Sequence, residues 1–205
     1  MKIVIYHDRM NHYRLKGEGC FLADSNITKR ALSSALRELM ESIPFSKISV
    51  GDICERCSMH RKSFYYHFKD KYDLVNWIYH TEFITVIQRK DYQVGWDFME
   101  DLCNYFYENK SFYRKTLNVE GQNSFSEYFR DIVASVLSDD LKEMFKDEPS
   151  IDFFVDFYTD AFVGAIKRWL TKGNMSAEEF VRLLKKGLLR TSNQIIYRLS
   201  DDDEK

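Results

Sequence analysis

A chain of 205 residues, 44% apolar and 30% charged, is long enough to bury a core and too apolar to remain unfolded. With 2 Pro and 8 Gly it lacks the punctuation that the many tight turns of a β-sandwich or barrel require, so composition points to an all-α protein. No apolar run approaches the ~20 residues of a membrane-spanning helix, and Met1 to Tyr6 is too short for a signal peptide, so the chain is expected in the cytoplasm with no membrane partner. The four cysteines are expected to be reduced.

A net charge of −2 hides an asymmetry. From Asn26 to Lys71 nine basic residues face five acidic ones, whereas from Tyr72 onward 17 basic residues face 24 acidic ones. One end of the molecule can approach a polyanion that the other end would repel.

Residues 1–23 show no helical periodicity and read as a poorly structured extension, with a short strand as the most that Lys2 to Tyr6 can offer. A first helix is predicted after a cap at Ser25 or Asn26, with Ile27, Ala31, Leu32, Ala35, Leu36, Leu39 and Met40 on its core face, and it ends before Pro44. A second starts at Ser49, whose hydroxyl can accept from the backbone near Asp52, and runs to about Cys57. After Ser58 and Met59 a third covers His60 to Phe68, and a long fourth runs from Asp70 or Lys71 toward Gln88. Two short helices separated by a two- or three-residue turn have the dimensions of a helix-turn-helix.

The remaining pattern predicts helices over 96–109, 112–117, 125–145, 151–170 and 177–199. Gly173 stops one of these, and Ser176 with Glu179 forms a capping box for the next. The helix from Ile151 carries two apolar edges, and such a helix must be covered on both. The second cover is expected to be a copy of the chain, in a two-fold four-helix seam drawing on Phe154, Tyr158, Phe162 and Ile166 with Leu184, Leu188, Thr191 and Ile195. The predicted fold is therefore a helix-turn-helix domain over 24–70, followed by a helical bundle over 71–205 that dimerises through its last two long helices.

The most informative stretch is His60-Arg-Lys-Ser-Phe-Tyr-Tyr-His-Phe68. Phe64 and Phe68 lie four apart and pack inward with Ile53 and Leu74, leaving His60, Arg61, Lys62, Ser63, Tyr66 and His67 outward. An arginine can grip guanine O6 and N7, hydroxyls can bond phosphate oxygens, and a tyrosine ring can lie on a thymine methyl. Lys71, opening the fourth helix, sits where an anion also gains from the helix dipole. With the cap Ser49, these residues are the candidate DNA-facing set.

Residues Ile48 to Leu74, ISVGDICERCSMHRKSFYYHFKDKYDL, closely resemble the helix-turn-helix of the tetracycline-repressor-like (TetR/AcrR) transcriptional regulators. That resemblance implies phosphate contacts from Tyr65, His67 and Lys71, and base-facing positions for Arg61, Lys62, Ser63 and Tyr66. The chain departs from the family's pattern at the turn, with Ser58 where glycine is usual and Cys57 where alanine is common. Farther on, KDKYDLVNWIY, ENKSFYRKTL and DAFVGAIKRWLTKG look like the subgroup that regulates dihydroxyacetone kinase operons. The likeness implies a homodimer on a palindromic double-stranded DNA operator, and a C-terminal domain that takes a small-molecule effector or a co-regulator protein.

Rival readings carry less. Cys54 and Cys57 form an isolated C-x-x-C pair without a second pair to complete a zinc site, and no metal or other cofactor is expected. No phosphate loop, HExxH, G-x-S-x-G or convergent acid pair appears, so an enzyme is not expected. A helical sensor or protein-interaction module with only secondary DNA binding is the alternative, and it accounts for the 16% aromatic content. In that reading Trp77, Tyr105, Phe106, Phe112, Tyr113, Phe157 and Trp169 line an apolar cavity, although core burial is the commoner fate of such side chains.

Overall fold

The computed structural model describes residues 21–87, 90, 92, 95–119, 124–146 and 149–188. Residues 1–20 of the expected extension, and Thr191 and Ile195 of the expected dimer seam, lie outside the described residues. Within them every regular element is helical.

Helix α1 (Phe21–Ser42) begins ahead of the expected cap at Ser25 or Asn26, because nothing between Phe21 and Ser25 is a helix breaker. Leu32, Ala35, Leu36 and Met40 are buried along one stripe, whereas Ile27 is exposed and falls off the core face. A 3-10 turn (Phe45–Lys47) leads into α2 (Val50–Arg56) and α3 (Arg61–His67), both packed against α1. Phe45, Ile48, Ile53, Phe64, Phe68 and Leu74 fill the space between them and are 2% exposed or less. One long and two short helices thus share one small core, which fixes the outward face of α3.

Helix α4 (Lys71–Tyr79) continues into a π-helical turn (His80–Ile84) and a last α turn (Thr85–Ile87). It leads from the head into a bundle of α5 (Gly95–Glu108), α6 (Lys110–Leu117), α7 (Phe125–Met144), α8 (Ile151–Lys172) and α9, described over 177–188. Helices α7 and α8 form an antiparallel pair, clamped where Arg130 meets Asp156 and Asp160 at 2.7 Å each. Gly173 ends α8 at φ 75°, a left-handed conformation that favours glycine, and Lys110 Nζ donates to its carbonyl at 2.8 Å. The backbone N–H of Glu179 donates to Ser176 Oγ at 3.2 Å, as the capping pattern predicts.

Much of the aromatic excess resolves into one cluster. Tyr79, fully buried on α4, is surrounded by Phe83, Phe106, Tyr113, Phe125 and Phe129 with ring centroids 5.2–6.0 Å away. Such offset and edge-on contacts add to simple burial. The head is tied to this cluster by α1 side chains. Arg37 donates to Glu82 at 2.6 Å and lies over the Phe112 ring at 4.4 Å, and Glu82 also accepts from the Tyr105 hydroxyl at 3.0 Å. The Tyr105 and Tyr113 hydroxyls share a hydrogen bond of 2.6 Å, and Lys115 Nζ donates to the Met40 carbonyl at the end of α1.

Candidate nucleic-acid interface

Ser49 and Asp52 build a reciprocal cap at the start of α2. The Asp52 N–H donates to Ser49 Oγ at 3.2 Å, while the Ser49 N–H and hydroxyl both donate to Asp52 Oδ2 at 2.8 Å. The Ser49 backbone and side-chain hydrogen bonds, helped by the charges of Arg61 and Lys71, hold the Asp52 carboxyl below its usual range. The Ser49 hydroxyl proton is therefore engaged, and the residue serves as a cap rather than as a free donor to phosphate.

The turn closes through Met59 N–H donating to the Cys54 carbonyl at 2.8 Å. Ser58 carries it at φ 54°, a left-handed value that favours glycine. A side chain there costs roughly 1–2 kcal/mol, partly offset by the lower entropy of the unfolded chain. Ser58→Gly is accordingly expected to stabilise the fold by about 1 kcal/mol, read as a higher urea midpoint at unchanged slope.

Helix α3 is sharply two-sided. Phe64 is fully buried, while His60, Arg61, Lys62, Tyr65 and Tyr66 are exposed, with Tyr66 at 82% and Tyr65 at 58%. Ser63 and His67 are half-buried at the edges of this face, and Tyr66 meets the His67 ring edge-on at 4.9 Å. Burial and the nearby Lys29 charge push the His67 pKa down. Two cations and two tyrosine rings on the exposed side of a seven-residue helix can enter a major groove and reach base edges by their tips.

Lys71 departs from its expected place. Its Nζ donates to the carbonyls of Phe45, Ser46 and Ile48 at 2.8, 3.2 and 2.7 Å and sits over the Phe45 ring at 4.8 Å. Burial lowers its pKa despite the neighbouring Asp52 and Asp70 carboxylates. An ammonium has three donors, and all three are spent on the turn between α1 and α2, so the phosphate role that the resemblance implies is not available without breaking them.

The Cys54 and Cys57 thiols are both pushed up by burial, and Cys57 Sγ donates to the Ile53 carbonyl at 3.2 Å, which makes them packing residues. The aromatics proposed for an effector cavity are mostly structural. Phe106, Phe112 and Tyr113 are buried, Tyr105 is bonded to Glu82 and Tyr113, Trp77 packs on Phe68, and Trp169 stacks on Phe180 with centroids 4.5 Å apart. Phe157 is 56% exposed on the outside of α8. A cavity of about 300 Å³ lies instead between α5, α7 and α8, walled by Trp96, Met99, Leu102, Val136, Phe162 and Ile166, with Asp140 also lining it. Ile166 is fully buried within the protomer and cannot face a second copy. Sequence reading also missed Arg37, Glu82 and Lys115, whose partners lie 23 to 75 residues away and leave no local signal.

The fold and this exposed cationic helix define an all-helical DNA-binding regulator of the helix-turn-helix type. Residues 32–78 match the description "Bacterial regulatory proteins, tetR family" and residues 96–189 match "Transcriptional regulator C-terminal region". The chain belongs to the tetR family and is a transcriptional regulator, not an enzyme. It is 28% identical over 153 residues to the HTH-type dhaKLM operon transcriptional activator DhaS of Lactococcus lactis subsp. lactis (strain IL1403), spanning 70% of this chain and 79% of that one. Two solved structures share the fold. A dihydroxyacetone kinase operon activator DhaS superposes with a TM-score of 0.59 at 24% identity, covering 81% of this chain and 96% of the other. A TetR transcriptional regulator from Streptococcus agalactiae 2603V gives 0.62 at 22% identity, covering 78% and 93%.

Proposed function

We propose that two copies of this chain pair through α8 and α9 and present two α3 helices to successive major grooves of a near-palindromic operator. The observation that carries this reading is the two-sided α3, whose Phe64 is locked in the core while Arg61, Lys62, Tyr65 and Tyr66 are exposed. Tyr65 and His67 anchor on phosphates and fix register; Arg61, Lys62 and Tyr66 face the bases. Half-sites should lie about one helical turn, ~34 Å, apart or somewhat more.

The edge of α8 offered to the second copy is the one carrying Phe153, Phe157, Ala161 and Gly164, all exposed, continued on α9 by Leu183, Gly187 and Leu188. A Cβ placed on Gly164 or Gly187 would meet nothing within 4 Å, which leaves room for another helix to approach closely. The 300 Å³ cavity is large enough for a small, mainly apolar effector. An effector acts through its differential affinity for two head positions, and the Arg37 to Glu82 to Tyr105 connection is the route by which the body can set them. The relative's description as a dhaKLM operon activator supports an operon of that kind as the target.

Selection of bound sequences from a random duplex pool tests the whole reading at once, because a two-fold symmetric site reports class, symmetry and spacing together. Affinity for the selected site should fall steeply with added salt as phosphate contacts release counterions. Arg61→Ala is expected to weaken operator binding by roughly 1–3 kcal/mol and to blur one base position in each half-site. Unselective, salt-insensitive binding would remove the proposal.

A further inference from the structure

We infer that Gly51 is a specificity-determining position, because its missing side chain makes the seat on which the Arg61 guanidinium is held ready for the DNA. The inference rests on the operator-binding reading above and deepens it at one residue. Gly51 is the second residue of α2, between the Ser49 cap and Asp52. Its φ is not positive, since Gly173 is the glycine with that conformation among the described residues, so its backbone does not demand glycine. Glycine inside a helix weakens it relative to alanine. Something other than local conformation therefore accounts for it here.

The space beside it supplies the reason. A Cβ built on Gly51 would collide with Arg61 Nη2 and stand 3.2 Å from Cζ and 3.3 Å from Nε, so the Nη2 edge of the guanidinium fills the place where that atom would be. The contact is made by the Nη2 edge of the group, and the Asp52 carboxylate one residue on from Gly51 attracts the same cation. The Nη1 donors point away from this contact and stay available to a base or a phosphate while packing restricts the rotamers of the stem. A group held this way loses less freedom on binding than one waving in solvent, which is how preorganisation raises affinity. Alanine at 51 would leave α2 intact and push only the end of a flexible side chain aside. The fold should survive, and the loss should fall on recognition.

Gly51→Ala, Arg61→Ala and the double variant would be compared with the unaltered protein on the selected operator and on a scrambled duplex. G51A is expected to match or exceed the parent in thermal midpoint, to lose about tenfold in operator affinity, and to keep its affinity for the scrambled duplex. In the Arg61→Ala background the same change should have no further effect. Without DNA, the Arg61 Nε–H should give an ordered NMR relaxation signature in the parent and an averaged one in G51A. Equal losses in both backgrounds, unchanged operator affinity in G51A, or an Arg61 signal indifferent to residue 51 would overturn the inference. If the parent itself selects no operator, the function proposed above fails instead, and the NMR comparison still decides whether the seat exists.

Discussion

Replacing Phe157 with aspartate is expected to turn a dimer into monomers and to lower operator affinity by about 10² to 10⁴-fold, the factor by which linking two binding modules exceeds one. Phe157 is 56% exposed and packs edge-on against Tyr158 and in parallel with Phe153, so a carboxylate there burdens the protomer little. Across a seam between two copies it would be buried without a partner, and the seam would open. Sedimentation equilibrium gives the mass directly, and a fluorescence titration on one half-site should leave F157D and the parent equal. A variant that stays dimeric would place the seam elsewhere.

Lys71→Met is expected to cost the fold about 2–3 kcal/mol, since charge-assisted hydrogen bonds contribute roughly 1.5–3 kcal/mol and three carbonyls lose their shared donor. Methionine keeps most of the stem that packs against Phe45, which isolates the loss to the ammonium. The sharper discriminant is salt dependence. A phosphate contact removed from each protomer would lower the slope of log affinity against log salt by about one per site. A lysine spent on the turn should leave that slope alone and lower only the fraction folded, which urea melts measure separately. A reduced slope with unchanged stability would return Lys71 to the DNA-facing set.

Lys71 also marks where the sequence stops being legible. Its position at the mouth of a helix suits an anion site, but its partners are backbone carbonyls 23 to 26 residues earlier, and carbonyls carry no residue identity to read. The caps at Ser49, Ser176 and Gly173 were visible because both partners lie within four residues. The inward face of α3 was visible because Phe64 and Phe68 repeat at helical spacing between Ile53 and Leu74. On α8 periodicity identifies two apolar edges without saying which one meets the chain's own core. The expectation gave Phe154, Tyr158, Phe162 and Ile166 to a second copy, yet Ile166 is fully buried in the protomer, Phe162 lines the cavity, and Phe154 stacks on Phe145 at 4.2 Å. The opposite edge stays open.

The π-helical turn at His80–Ile84 lies in the single helix that joins head to body, and Glu82, which receives both Arg37 and Tyr105, is inside it. A wide turn of this kind holds one residue more than an ordinary α turn. Were that surplus handed along the helix, the stretch it crosses would advance by about 1.5 Å and rotate by about 100° with the rod still continuous. The shaft between head and body thus carries its own slack, a notch by which the side chains along it can be re-phased without unfolding it.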